Sequence, residues 1–119
     1  MKKQLPQWFA TRGAGCLLHM TSLPSYFGIG NLGKQAYEFL DFLKASGFTS
    51  WQTCPVGPTG FGDSPYQVFS SFAGNPYLID WEPLMTAGLI ENHELEPLYQ
   101  LPRDFVDYGL LYERFFPLA

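Results

Sequence analysis

Residues 14–20 (AGCLLHM) form a short apolar run bounded by Gly13 and by the turn residues Ser22–Pro24, a pattern that predicts a buried strand. A loop rich in Ser, Pro, Gly and Tyr follows, from Thr21 to about Asn31. The clearest helical signal covers about 32–46, where Ala36, Phe39, Leu40 and Leu43 fall at i, i+3, i+4 and i+7. Lys34, Glu38 and Asp41 lie off that stripe, and Gly47 supplies the stop. Phe48 to Cys54 then reads as a second strand, ended by Pro55. Strand, helix and strand in this order make a βαβ unit, so the two strands should be parallel. Parallel sheets need cover on both faces and are seldom stable as two strands, so more of the same pattern should follow.

Instead a long loop follows, 55–76, with the sequence PVGPTGFGDSPYQVFSSFAGNP. A structureless loop of that length is usually functional. Tyr77–Asp80 reads as a short extended piece, Glu82–Ala87 as a brief helix stopped by Gly88, and the chain through about Pro102 as a polar connection. A last helix, Asp107 to Phe116, has Asp at its start and Leu110, Leu111, Arg114 and Phe115 at helical spacing. No internal repeat or low-complexity segment appears. The architecture looks interrupted: two strands leave an unpaired edge and an uncovered face, so the isolated chain should be poorly stable or self-associate.

Composition narrows the function classes. Hydrophobic residues make up 46% of the 119, which excludes disorder by low hydrophobicity. The net charge is −4, and the seven basic residues are scattered rather than striped, so nucleic acid is not an expected partner. The two lysines near the start precede no apolar run, unlike a secretory signal, and no stretch approaches the roughly 18–20 apolar residues a membrane span needs. Cys16 and Cys54 fall in apolar strands without a nearby His or Cys, which predicts buried free thiols and fits a reducing cytoplasm. Aromatics reach 18%, and such rings serve either as cores or as platforms for the C–H faces of sugars.

Gly28-Ile29-Gly30-Asn31-Leu32-Gly33 matches a GxGxxG dinucleotide pattern, but the glycines stand seven residues beyond the first strand and the second strand offers no acid for a ribose. We assign these glycines to loop turns and close approach to the sheet, and expect no cofactor. Phe61-Gly62-Asp63-Ser64-Pro65-Tyr66 is more site-like, an aromatic, an acid, a hydroxyl and a second aromatic on a loop after a parallel strand, where α/β folds bind ligands. The mixture suits a sugar; equally, Asp63 could accept local backbone N–H bonds in a turn with Tyr66 packed inward. Asn75-Pro76 reads as a plain turn, His19 as a satisfied core histidine or else a substrate contact, and Phe69, Phe72, Tyr77 and Trp81 as core or loop packing. Retaining glycosyl transfer needs two carboxylates about 5–5.5 Å apart. Of the 11 acids only Asp63 holds a convincing site position, and Asp80 has no evident partner. No serine triad, metal-ligand cluster or phosphate loop replaces the pair, so no residue is assigned a catalytic or metal-binding role.

The segments Gly15–Pro24, Phe27–Gly33, Trp51-Gln52 with Pro55–Gln67, Ser71–Asp80 and Asp107–Leu111 together resemble the opening of the 4-α-glucanotransferases, or amylomaltases, across about residues 12–116. The resemblance implies an α/β fold: the N-terminal part, about two βα units plus long loops, of a (β/α)8 TIM barrel of the glycoside hydrolase type, which typically needs ~250 residues. On that reading residues 1–11 are an N-terminal extension and 12–119 a partial catalytic barrel, truncated before the catalytic carboxylates. The implied reaction passes a segment of α-1,4-glucan through a covalent intermediate to an acceptor sugar. The implied partners are α-1,4-glucan and maltooligosaccharide substrates and the remainder of the barrel. Gly62, Asp63, Ser64 and Tyr66 match the family's donor-site loop, with Ser64 on a sugar hydroxyl and Tyr66 stacked beside a ring. Phe61 stands where an aromatic, often Tyr, contacts glucan. Met20 replaces a common proline and Cys54 a usual leucine.

Overall fold

The computed structural model describes Pro6 and residues 11–60 and 62–118. Most of the expected N-terminal extension therefore lies outside the described residues. Strand β1 (Gly15–Leu17) pairs in parallel with β2 (Ser50–Gln52), with Gly15 opposite Ser50 and Leu17 opposite Gln52. Backbone bonds continue the pairing at both ends, from Thr49 N–H to Ala14 O and from Leu18 N–H to Gln52 O. The indole of Trp51 donates to Leu18 O at 2.7 Å and locks the register at the carboxyl ends.

Helix α1 (Lys34–Ala45) makes the crossover. It ends where Gly47 was expected to stop it, with Phe48 N–H reaching back to Leu43 O. Its apolar stripe is narrower than its periodicity suggested. Ala36 and Leu43 are buried and Phe39 packs edge-on against Trp51, but Leu40 is exposed. A two-stranded sheet is too narrow to cover the whole stripe.

The loop before α1 runs back over the start of the sheet. Gly30 donates to Thr21 O, and a Cβ at residue 30 would lie 2.1 Å from Met20 O, so only glycine fits this crossing. Asn31 is buried and fully used: its Oδ1 accepts from Gly33 N–H and its Nδ2 donates to Ile79 O. The glycines thus serve turns and close approach as expected, but to the Met20–Leu23 turn, Leu101 and Asp80 rather than to the sheet.

Beyond the long loop the chain turns helical. Pro76–Leu78 is a 3-10 turn rather than an extended piece, because Asn75 Oδ1 accepts from Tyr77 N–H and proline occupies the first helical position. Asp80 has a structural role, capping α2 (Trp81–Thr86) by accepting from Glu82 N–H. The expected polar connection is in fact a 3-10 turn, Asn92–Leu95, running into α3 (Glu96–Tyr99), opened by a reciprocal Glu91–Glu94 capping box. Helix α4 (Tyr108–Phe115) starts at Asp107, whose carboxylate accepts from Leu110 N–H.

These later segments own the main core. Leu95, Leu98, Leu111 and Phe115 are fully buried, joined by Phe27, Ile29, Tyr77, Trp81 and Leu101. Phe115 meets Tyr77 and Trp81 edge-on at 5.0 and 5.2 Å between ring centres. A smaller cluster of Met20, Leu23, Ala36 and Leu78 joins α1 to the sheet. Tyr77 and Trp81 are core residues as expected, whereas Phe69 and Phe72 point into solvent. Cys16 and Cys54 are free thiols but only half-buried, not buried as expected. No helix among the described residues is long and apolar enough to cross a membrane.

Candidate functional site

The loop after β2 is tied at its base and tightly turned at its tip. Asn75 Nδ2 donates to Gly57 O, and Thr59 pairs with Val68 in an isolated antiparallel bridge, so both limbs are held before the tip begins. Asn75-Pro76 is therefore more than a plain turn: one amide caps a 3-10 turn and staples the loop. At the tip Asp63 N–H donates to Gly60 O and Gln67 N–H to Ser64 O. Gly62 and Asp63 take consecutive positive φ values, 88° and 53°. The left-handed region suits glycine and is tolerated by aspartate, which explains this dipeptide at the reversal.

Neither sequence reading of the tip is met in full. Asp63 is half-buried and turns inward, whereas Tyr66 is 74% exposed and does not pack inward. The Tyr66 hydroxyl lies 3.6 Å from Cys54 Sγ, and its pKa is raised, first by that hydrogen bond and then by the thiol's charge. Ser64 Oγ accepts from Tyr66 N–H at 3.4 Å. Phe61 lies outside the described residues.

Gly62 and Asp63 border an open groove of about 950 Å³, walled by Phe69, Tyr77, Tyr108, Tyr112 and Phe116. Ser64 and Tyr66 stand on the other limb and do not line it. Asp63 is the acid among the described lining residues, and its charge is felt on both inner tyrosines. Tyr77 is pushed up to about 12, first by burial, then by Asp63, with Tyr108 and Tyr112 adding to it. Tyr108 is raised by burial and then by Asp63, against a hydrogen bond with Thr21 that pulls it down. A wall of ring faces beside a carboxylate and backbone polar groups can hold a ligand that is apolar on its faces and hydroxylated at its rim. It does not assemble a pair of carboxylates.

The tyrosine wall escaped the sequence reading, which followed the leucine stripe of α4 inward. Its opposite stripe, Tyr108, Tyr112 and Phe116 at i, i+4 and i+8, carried the signal. Below the groove, sharing Thr59, Asp63, Asn75, Tyr77 and Tyr108 with it, is a cavity of about 20 Å³ that His19, Thr21, Ile29 and Pro65 complete. His19 is not the satisfied histidine expected. Its Nδ1 is buried without a partner among the described residues, and burial lowers its pKa.

A parallel βα crossover with a stapled, aromatic-walled loop beyond the carboxyl end of its second strand defines an α/β protein. The family model described as 4-alpha-glucanotransferase matches residues 18–117, and the chain belongs to that family. It is 55% identical over 101 residues to the 4-alpha-glucanotransferase of Thermus thermophilus, covering 85% of this chain and 19% of that relative. The Aquifex aeolicus 4-alpha-glucanotransferase is 51% identical over 104 residues, covering 86% and 21%. Among solved structures, amylomaltase from Streptococcus agalactiae in complex with acarbose superimposes with a TM-score of 0.84 at 42% identity, over 91% of this chain and 22% of that one. The chain spans about a fifth of the length of the curated relatives it matches.

Proposed function

We propose that this chain is the N-terminal part of the (β/α)8 barrel of a 4-α-glucanotransferase, working in the cytoplasm. The whole enzyme would move segments of α-1,4-glucan to an acceptor sugar by retaining double displacement. Residues 12–119 would supply donor-side contacts and no catalytic group, with residues 1–11 as an extension. The observation that carries this reading is the stapled Gly62–Tyr66 turn, set beyond the carboxyl end of a barrel-type strand within a stretch 55% identical to the Thermus enzyme. Ser64 presents a hydroxyl for a sugar hydroxyl, and the exposed ring of Tyr66 is free to stack on a sugar face. Gly62 lets the backbone approach a ligand, and Asp63 offers acceptors from below. Phe61, outside the described residues, is retained as a glucan contact on the family resemblance alone.

The test is transplantation. Residues 12–119 replace the matching segment of the Thermus enzyme, and disproportionation of maltotriose is followed. The chimera should make glucose and longer maltodextrins, and Ser64→Ala or Tyr66→Ala should raise KM about 5- to 30-fold, the loss of one hydrogen bond or one stacked ring at roughly 1–2 kcal/mol. Unchanged kinetics in both variants would remove these residues from the site. Glucose released by the 119-residue chain alone would overturn its assignment as non-catalytic. The groove of about 950 Å³ supports a second reading, a non-catalytic carbohydrate-binding module. Maltotriose binding to the isolated chain, with an inactive chimera, would favour it.

A further inference from the structure

The small cavity under the loop tip has no part in the function proposed so far. It has the chemistry of a water site rather than an apolar void: His19, Thr21, Thr59, Asp63, Asn75, Tyr77 and Tyr108 all border it. At about 20 Å³ it exceeds the ~10–15 Å³ needed to house one water and is far too small for a sugar ring. One of its residues brings an unmet demand, because His19 Nδ1 is buried with no hydrogen bond to any of the described residues. The other described side-chain atom in that condition, Trp81 Nε1, belongs to a residue that does not border this cavity. A buried, unsatisfied ring nitrogen costs free energy that one bridging water removes.

Position adds the second strand of the argument. His19 lies two residues beyond the end of β1, and its carbonyl accepts from Ser22 N–H, so its backbone is fixed by the 3-10 turn at Met20–Ser22. Asp63 lies across the cavity at the loop tip, in a left-handed conformation that needs support from its surroundings. Asp63 borders the cavity together with Tyr77 and Tyr108, and its charge reaches both phenols.

We propose that this cavity holds one ordered water bridging His19 Nδ1 and the Asp63 carboxylate, and that His19 is the positioning residue that sets the loop tip over the end of β1. The imidazole never meets a ligand; it acts by fixing Asp63, and through it the direction of Gly62 and Ser64. The consequence for sugar binding rests on the donor-loop reading above, whereas the bridge itself does not.

The test is a double-mutant cycle in the 119-residue chain, read by urea unfolding. His19→Leu removes the ring nitrogen. His19→Asn has nearly the same shape as leucine and carries a polar atom where Nδ1 stood. Asp63→Gly removes the carboxylate while keeping a residue at ease with positive φ. His19→Leu and Asp63→Gly should be coupled by about tenfold in the folding equilibrium constant, within the range for residues sharing one network. His19→Asn should restore most of that coupling. Coupling within about twofold of unity, or an asparagine variant no better than leucine, would overturn the proposal. If the leucine variant does not fold, the unmodified chain still decides. Cross-relaxation between a long-lived water and the His19 ring protons supports the bridge, and its absence at a resolved His19 signal overturns it. In the chimera, loss of coupling with intact Ser64 and Tyr66 effects would remove the bridge alone. Intact coupling with no sugar effect would remove the donor-loop reading alone.

Discussion

Tyr77 shows how one side chain joins core, loop and groove. Its ring is buried against Phe115, its backbone N–H is held by Asn75, and its hydroxyl end faces Asp63. Burial, then the aspartate charge, push its phenol from an ordinary value near 10 up to about 12. A raised folded-state pKa means the unfolded chain gives up this proton first. The resulting stability is complete below about pH 10 and is lost as pH rises through about 12. Ellipticity followed with tyrosinate absorbance should therefore show unfolding in that window, and Tyr77→Phe should move it to higher pH. Transitions that coincide in both proteins would assign the alkaline limit to another group. At this scale the sequence was a mixed guide. Asp107 announced its helix cap, and Asp63 announced a turn. The outward rings of Tyr66, Phe69 and Phe72 could not be foreseen, because an aromatic beside glycines and serines reads the same whether it faces a core or water.

The elements divide into those whose periodicity was visible and those hidden by polar neighbours. Strands β1 and β2, α1, α2 and α4 fall where the sequence placed them, but each strand is shorter than its apolar run. Strand β1 is not the buried strand expected, since Gly15 and Leu17 are exposed on a sheet too narrow to be covered. The segment 92–101 read as a connection because Asn92, His93, Glu94 and Glu96 dominate it. Its leucines at 95, 98 and 101 fall on three short pieces in turn, the end of the 3-10 turn, α3 and the turn after it, and each piece is too short to show a periodic stripe. Leu98→Ala should therefore cost ~2–5 kcal/mol, as for a fully buried leucine. Leu40→Ala on the nominal stripe of α1 should cost under ~1 kcal/mol, since that side chain is exposed. Urea midpoints of the two variants check the contrast, and equal losses would contradict the placement of the core.

For the whole molecule, the βα opening and the long loop after β2 were legible, and the location of the core was not. A βαβ pattern directs attention to the sheet as the organising layer, yet the largest buried cluster joins the loop at Phe27–Ile29 to everything after Tyr77. Around the sheet, Leu17, Tyr37, Phe42 and Val56 are exposed. Sequence alone could not rank these two regions, because both are equally apolar in composition. The difference lies in which segments have partners, and partners are a property of the folded arrangement.

The amide staple at Asn75 roots the loop in that larger cluster rather than in the strand from which the loop emerges. Solvent deuterium should accordingly enter the chain in an unusual order. The strand amides at Cys16 and Trp51 should exchange early, and the α4 amides at Leu111 and Phe115 last. Tyr77 N–H, at the foot of the loop, should outlast the sheet above it. The part of the molecule that presents the turn would then keep its shape through openings that release the strands.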